Sequence, residues 1–217
     1  MVEPSARHAL RQARRDVTRQ HLLEAAERVF AARGYDGTRM QDVATEAGLA
    51  LGTLYGLVPG KEELYAEIHR TRGRALLARA AEAAARPGSA VDAILGGVAA
   101  YVAFLVEHPA YLHLHLAEGQ PWALAPHFRS EEQRAQWREG LALTAQVFRA
   151  GIAEGTVVDE DPETLARLMI ATHQVLLARW VEDGMREAPA ALVQRMQQHL
   201  RRAFLRRGAR ASQPGPR

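Results

Sequence analysis

A chain of 217 residues, 47% hydrophobic and 24% charged, has the composition of an ordinary folded protein of one or two domains with a sizeable core. It holds no cysteine, which excludes a disulfide framework and any Cys-ligated metal site. The net charge of +3 is unevenly spread: Arg7, Arg11, Arg14, Arg15 and Arg19 crowd one end, and Arg195, Arg201, Arg202, Arg206, Arg207, Arg210 and Arg217 close the other with no acid among them, as expected of ends that meet phosphate or that solubilise.

Residues 1–14 read as a basic arm without the apolar stretch of a signal peptide, so the expected location is the cytoplasm. Leu22, Leu23, Ala26, Val29 and Phe30 recur at helical spacing and predict an amphipathic helix over 15–33, capped by Gly34 with Tyr35 packed back on the last turn. Thr38 and Gln41 have capping-box spacing and open a second helix near Arg39, with Met40, Val43, Ala44 and Ala47 inward. Gly48 supplies a left-handed turn, and a two-turn helix follows over about 50–56.

Pro59-Gly60 precedes a long helix over 61–85 whose inner face is Leu64, Tyr65, Ile68, Ala75 and Leu76. Another covers 90–107, with no run approaching the roughly 18 uncharged apolar residues of a membrane span. Residues 109–128, interrupted by Pro121, Pro126 and Gly119, read as irregular and suited to a pocket mouth or lid. A helix over 130–153 carries Trp137, Leu141, Ala145, Phe148 and Ile152 on one stripe. Asp161-Pro162 is a strong start signal for the helix to about 183. That helix is apolar on two faces, so its own core or a partner subunit must cover both. A last helix over 188–207 precedes a tail, 208–217, expected to be disordered. The fold class is therefore all-α.

A two-turn helix is too short to be stable alone and must be held by packing. Two short helices joined at Gly48 have helix-turn-helix proportions, although such a corner also occurs as plain core. The stretch RQHLLEAAERVFAARGYDGTRMQDVATEAGLALGTLYGLVPGKEEL, residues 19–64, resembles the N-terminal domain of the tetracycline-repressor (TetR) family of bacterial regulators. The resemblance rests on Ala25-Ala26 with Phe30, Gly34-Tyr35 with Thr38, Val43-Ala44 with Ala47-Gly48, Gly52-Thr53-Leu54-Tyr55, and Lys61-Glu62 with Leu64. It implies an N-terminal three-helix DNA-binding domain over 15–60 and a C-terminal helical domain over 61–207 that binds a small ligand and dimerises through its last two helices.

Carried onto this chain, the resemblance implies DNA contacts from Thr38, Arg39, Ala50, Leu51, Gly52, Thr53, Tyr55 and Lys61. Thr38 would hold a phosphate at a helix N-terminus, and Lys61 would serve as a flexible point charge. The chain departs from the family pattern at Ala50, where a small hydroxyl residue is usual, at Leu51, often polar or basic, and at Gly56-Leu57-Val58, which lacks the usual aromatic run. Binding is therefore expected to depend strongly on salt and to use few direct base hydrogen bonds.

Tyr101, Phe104, His108, Tyr111, His115, Trp122, Trp137, Phe148 and His173 are the expected ligand-binding set, an apolar pocket with a few orienting polar groups. Leu165, Leu168, Met169, Leu176, Trp180, Met196, Leu200 and Phe204 are the expected dimer interface. His113, His115 and His127 match no compact metal spacing, and no nucleophile–base pair is evident, so neither metal, cofactor nor enzymatic activity is expected. The partners implied are a palindromic DNA operator, a small-molecule effector and a second copy of the chain, with no membrane. The expected function is a ligand-released repressor. The alternatives are a regulator whose C-terminal half binds a protein, and a small-molecule binder with a weakened DNA-binding domain.

Overall fold

The computed structural model describes residues 6–117 and 131–206, which form nine helices and, beyond them, a single antiparallel bridge between Val157 and Leu205. In chain order they are α1 (Ala6–Gly37), α2 (Met40–Glu46), α3 (Leu51–Leu57), α4 (Lys61–Ala84), α5 (Ala90–Glu107), α6 (Pro109–Ala117), α7 (Glu131–Ala153), α8 (Pro162–Glu182) and α9 (Pro189–Phe204). The tail expected over 208–217 lies outside the described residues.

Two expectations change in the first helices, the start of α1 and the capping box of α2. Helix α1 begins at Ala6 rather than near residue 15, and its extra turns are exposed. Ala, Leu, Arg and Gln there are strong helix formers that need no apolar stripe. Gly34, at φ +70, turns the chain out of helical geometry as expected, and Tyr35 stacks back on Phe30 at 6.0 Å. The cap of α2 is Arg39, not Thr38: the Asp42 carboxylate accepts from the Arg39 backbone N–H at 3.1 Å, a role assigned above to Gln41. Gly48 takes φ +63, and the corner it makes seats α3 through Leu54, fully buried.

Helix α4 is the spine of the molecule. Its first half packs on α1 through Leu64, Tyr65 and Ile68, and its second half packs on α5 and α7; Ala75, expected inward, is exposed. Helix α5, Ala90–Glu107, is long and apolar enough to cross a bilayer by length and composition, although its span includes Asp92 and Glu107. Its apolar residues are used inside the chain, against α4, α6, α7 and α9. The span from 109 is also more regular than expected: Pro109 starts α6, which buries Tyr111, Leu112, Leu114 and His115 and lies on α1 and α5. Proline at the first position of a helix lacks only an N–H that would have no partner there anyway.

The Asp161 carboxylate accepts from the Thr164 N–H at 2.7 Å and opens α8 as expected. The expected dimer face is largely turned inward. Leu165, Trp180, Met196, Leu200 and Phe204 are each at most 4% exposed within one chain, and Trp180 donates its indole N–H to the Glu187 carbonyl at 2.8 Å. Met169 and Leu176 are half-buried, while Leu168 (49%) and Val175 (63%) remain open on α8. A doubly apolar helix cannot say from its sequence which stripe its own core takes.

Two part-buried ion pairs tie α1 to α4. Arg72 pairs with Glu27, whose side chain is 6% exposed, and Arg19 pairs through both its Nε and NH2 with Glu67. Burial pushes the Glu27 carboxyl up, and Arg72 opposes that shift. Arg72→Ala should therefore strand a buried carboxylate and cost about 2–3 kcal/mol, whereas Glu27→Leu/Arg72→Met should fold within about 1 kcal/mol of the parent. Denaturant titration of the three proteins checks this. Equal losses in the single and double variants would mean that the pair itself supplies the stability.

Candidate nucleic-acid interface and ligand cavity

The outer side of α3 is built from small residues. Ala50, Gly52, Thr53 and Gly56 are exposed, and Tyr55, half exposed, is the one large side chain among them. A Cβ placed on Gly52 or Gly56 would meet no atom within 4 Å, so the helix backbone is open to close approach. Leu51 was expected to face the groove, but it is half-buried and packs on the core. The C-terminal end of α3 is anchored by the basic segment of α1. Arg15 donates to the Gly56 carbonyl at 3.2 Å and Arg19 to the Leu57 carbonyl at 2.9 Å, so these two guanidiniums hold the helix in place.

Thr38 and Lys61 also act differently from expectation. Thr38 is buried, and its hydroxyl donates to the Gly34 carbonyl at 2.7 Å, which closes the end of α1 and withdraws that hydroxyl from any phosphate. The Lys61 ammonium donates to the carbonyls of Tyr35 at 2.9 Å and Thr38 at 3.1 Å and lies 4.5 Å from the Tyr35 ring centroid, which leaves one N–H for another acceptor. Arg39 is exposed beside them. Arg28 and Arg33, by contrast, are engaged with Glu46 and Asp42, each at 2.7 Å.

Over about 22 Å of the same spine, at roughly 1.5 Å per residue from His69 to Ala84, α4 forms one wall of a cavity of about 190 Å³, closed by α5, α6, α7 and α8. Of the expected ligand residues, Tyr101, Tyr111, His115, Trp137 and His173 line it. Phe104 does not: it packs edge-on to His108 at 4.5 Å and faces Tyr111. His108 caps the end of α5 outside the cavity, and Phe148 is fully buried against Phe204 at 5.5 Å. Trp122 lies outside the described residues. His69, Gln133 and Gln136 were missed. The signal for His69 was its place four residues after Tyr65 on the inner stripe of α4; the glutamines gave none.

Rings connect the two sites. Tyr35 and Phe30 meet Tyr65 at 4.9 and 5.1 Å, Tyr65 meets His69 at 4.6 Å, and His69 meets Tyr111 at 5.8 Å. Within the cavity, Tyr101 and His115 share a hydrogen bond of 2.8 Å between hydroxyl and Nε2, and the Tyr101 ring stacks on His173 at 5.6 Å. Burial raises the Tyr101 phenol and lowers His69 and His173 to about 4, so all three are uncharged near neutral pH.

Residues 22–68 match the family described as bacterial regulatory proteins, tetR family. The chain is 30% identical over 188 residues to the HTH-type transcriptional repressor KstR2 of Mycobacterium tuberculosis, covering 84% of this chain and 88% of that protein. Among solved structures it superposes on the ketosteroid transcriptional regulator KstR2 of Mycobacterium tuberculosis with a TM-score of 0.69 at 25% identity, over 87% of this chain and 95% of that one. The regulator FadR of Bacillus subtilis, solved in complex with stearoyl-CoA, shares the fold at 17% identity with a TM-score of 0.70, over 83% and 96% of the two chains.

Proposed function

Because the chain belongs to the tetracycline-repressor family of bacterial regulators, and is therefore a DNA-binding regulator of transcription, we propose that it is a homodimeric cytoplasmic repressor released from a palindromic operator by a small apolar effector. In this reading residues 15–60 bind DNA and residues 61–207 bind the effector and the second copy. The observation that carries it is α4, one rigid helix whose first residue is tied to the helix-turn-helix domain through Lys61 and whose later turns line the cavity.

The contacts follow from what each group has to offer. Gly52 and Gly56 let the α3 backbone approach the duplex, and Thr53 and Tyr55 supply hydroxyls to base edges or phosphates. Arg39 and the remaining N–H of Lys61 meet phosphate beside the start of α2. Thr38 and Leu51 act from behind, by holding α2 and α3. Of the expected interface, Leu168 is the residue left exposed for a second copy, and Val175, outside the expected set, stands open two turns further along α8. An effector in the cavity shifts the population only by the difference in its affinity for the two forms. Its wall residue His69 touches Tyr65, which packs on Tyr35 and Phe30 of α1, so a displacement of α4 changes the seat of α2 and α3. The cavity weighs against a C-terminal half that binds only protein.

A gel shift and footprint on the DNA flanking the protein's own gene test the reading. The expected result is two protected half-sites related by a dyad and spaced by about one helical turn or more. Affinity should fall more than tenfold between 50 and 200 mM salt, because few base contacts leave phosphate contacts dominant. Protection without a dyad, or affinity indifferent to salt, would overturn it.

A further inference from the structure

The cavity sorts its polar and apolar walls along its length. Gln136 donates to the Arg70 carbonyl and lies against Gly73, where a Cβ would collide with its side-chain amide, while Gly140 sits against Leu77. Helices α4 and α7 therefore run in the same direction along the cavity. His69, one turn before Gly73, begins a connected set of hydrogen-bonding groups: it meets Tyr111, Tyr111 meets His115, His115 bonds the Tyr101 hydroxyl, and Tyr101 stacks on His173. Toward Ala84 the wall is Leu77, Ala80, Ile94, Leu141 and Val147, with Thr144 among them, its hydroxyl donated to the Gly140 carbonyl.

None of the described residues that line the cavity is an aspartate, glutamate, lysine or arginine. An ionic head group would thus enter a largely apolar space with no opposite charge beside it, and the desolvation of a buried ion costs several kcal/mol unless it is paired. His69 and His173 do not supply that charge, since burial keeps both neutral. They do supply neutral hydrogen bonds. His173 is 5% exposed, and its Nε2 has no partner among the described residues, a state that buried polar atoms seldom keep. A ligand oxygen resolves it, as acceptor or donor according to the tautomer.

We propose that the effector is an uncharged, elongated apolar molecule carrying a ketone or hydroxyl oxygen at one end, which sits among His173, His69 and the Tyr101–His115 pair with its apolar body between α4, α5 and α7. This rests on the cavity being the effector site. It adds a charge class and an orientation that excludes carboxylates and amines. The imidazole of His173 meets the oxygen, Tyr101 stacked on it fixes its plane, and the apolar end sets the length of chain accepted.

The test is calorimetric titration of the full-length protein, without DNA, with four probes of one body: 2-decanone, 1-decanol, decanoate and decylammonium at pH 7.5. The ketone and the alcohol should each bind at least tenfold tighter than either ion. His173→Phe should weaken the neutral probes about fivefold, the scale of one lost neutral hydrogen bond, and should narrow their advantage over decanoate. Should that variant misfold, Tyr101→Phe removes the hydroxyl with less disturbance and should weaken the neutral probes in the same direction. Decanoate or decylammonium binding as tightly as the ketone, or no binding by either neutral probe, overturns the proposal. A protein that footprints its operator yet prefers decanoate loses this inference alone. One that binds 2-decanone and ignores all DNA loses the repressor reading alone.

Discussion

Tyr55→Ala should lower the affinity of the dimer for its operator by about 30- to 1,000-fold and leave the melting temperature within about 2 °C of the parent. The affinity figure takes about 1–2 kcal/mol for one lost contact and counts it twice, since a dimer presents two copies of α3. The stability figure follows from exposure. Tyr55 is 50% exposed on a helix that is held by Leu54 beneath it and by Arg15 and Arg19 at its end, so truncation removes little that folding uses. Gel-shift titration beside a thermal melt separates the two quantities. A large fall in melting temperature with affinity lost only in proportion would make Tyr55 a packing residue. Thr53→Ala should act in the same direction with a smaller effect, because it deletes a hydroxyl and no ring.

Acid should destabilise the protein well above the range in which its carboxylates titrate. His69 and His173 are held near 4 by burial, against about 6.5 in an unfolded chain. Above pH 6.5 neither state protonates them, and their full contribution is present. Between pH 6.5 and 4 the unfolded chain takes up protons that the folded chain refuses, so stability falls as pH falls. At about 1.36 kcal/mol per unit, the loss approaches about 3 kcal/mol for each histidine by pH 4. Urea titrations at half-unit steps from pH 7.5 to 4.5 check this, and His173→Leu should flatten the slope by about half. A stability that is level down to pH 5 would mean that both imidazoles are solvated and that the cavity floor is wet. The capping carboxylate of Asp161, held down by its bonds to Thr164, adds its own loss only at more acid pH.

The sequence carried the helix-turn-helix because each of its devices is local. Gly34 and Gly48 both take positive φ, Leu54 is fully buried, and Leu22, Ala26, Val29 and Phe30 of the predicted stripe pack inward with Leu23 half-buried. Asp161-Pro162 and the stripe of α7 were legible for the same reason. The misses share a different cause. The first turns of α1 have no buried face, so periodicity is silent where propensity alone builds helix. Pro109 reads equally as a break or as a first helical residue, and only packing against α1 decides. The direction in which α8 turns its two apolar stripes depends on α7 and α9, which no local rule contains.

The candidate site was legible to a similar depth. Hydroxyls and aromatics in the right segments marked α3 and the cavity, but hydrogen bonds decide which of them are free. Thr38 looked like a phosphate ligand and spends its hydroxyl on Gly34; Lys61 looked free and spends two of its three N–H groups on carbonyls. Phe104 and Phe148 looked like pocket walls and belong to the core behind it. His69 was not among the expected residues and stands where the cavity meets the rings that lead to α1.

Photocrosslinking tests most directly whether the outer side of α3 lies against the duplex. A benzophenone side chain placed at Thr53 should crosslink to the DNA of the protected half-sites on irradiation, while the same group at Gln198, exposed on α9, should give no DNA adduct. Adducts from position 198 with none from position 53, under conditions where both proteins shift the fragment, would contradict the placement of α3 in the groove.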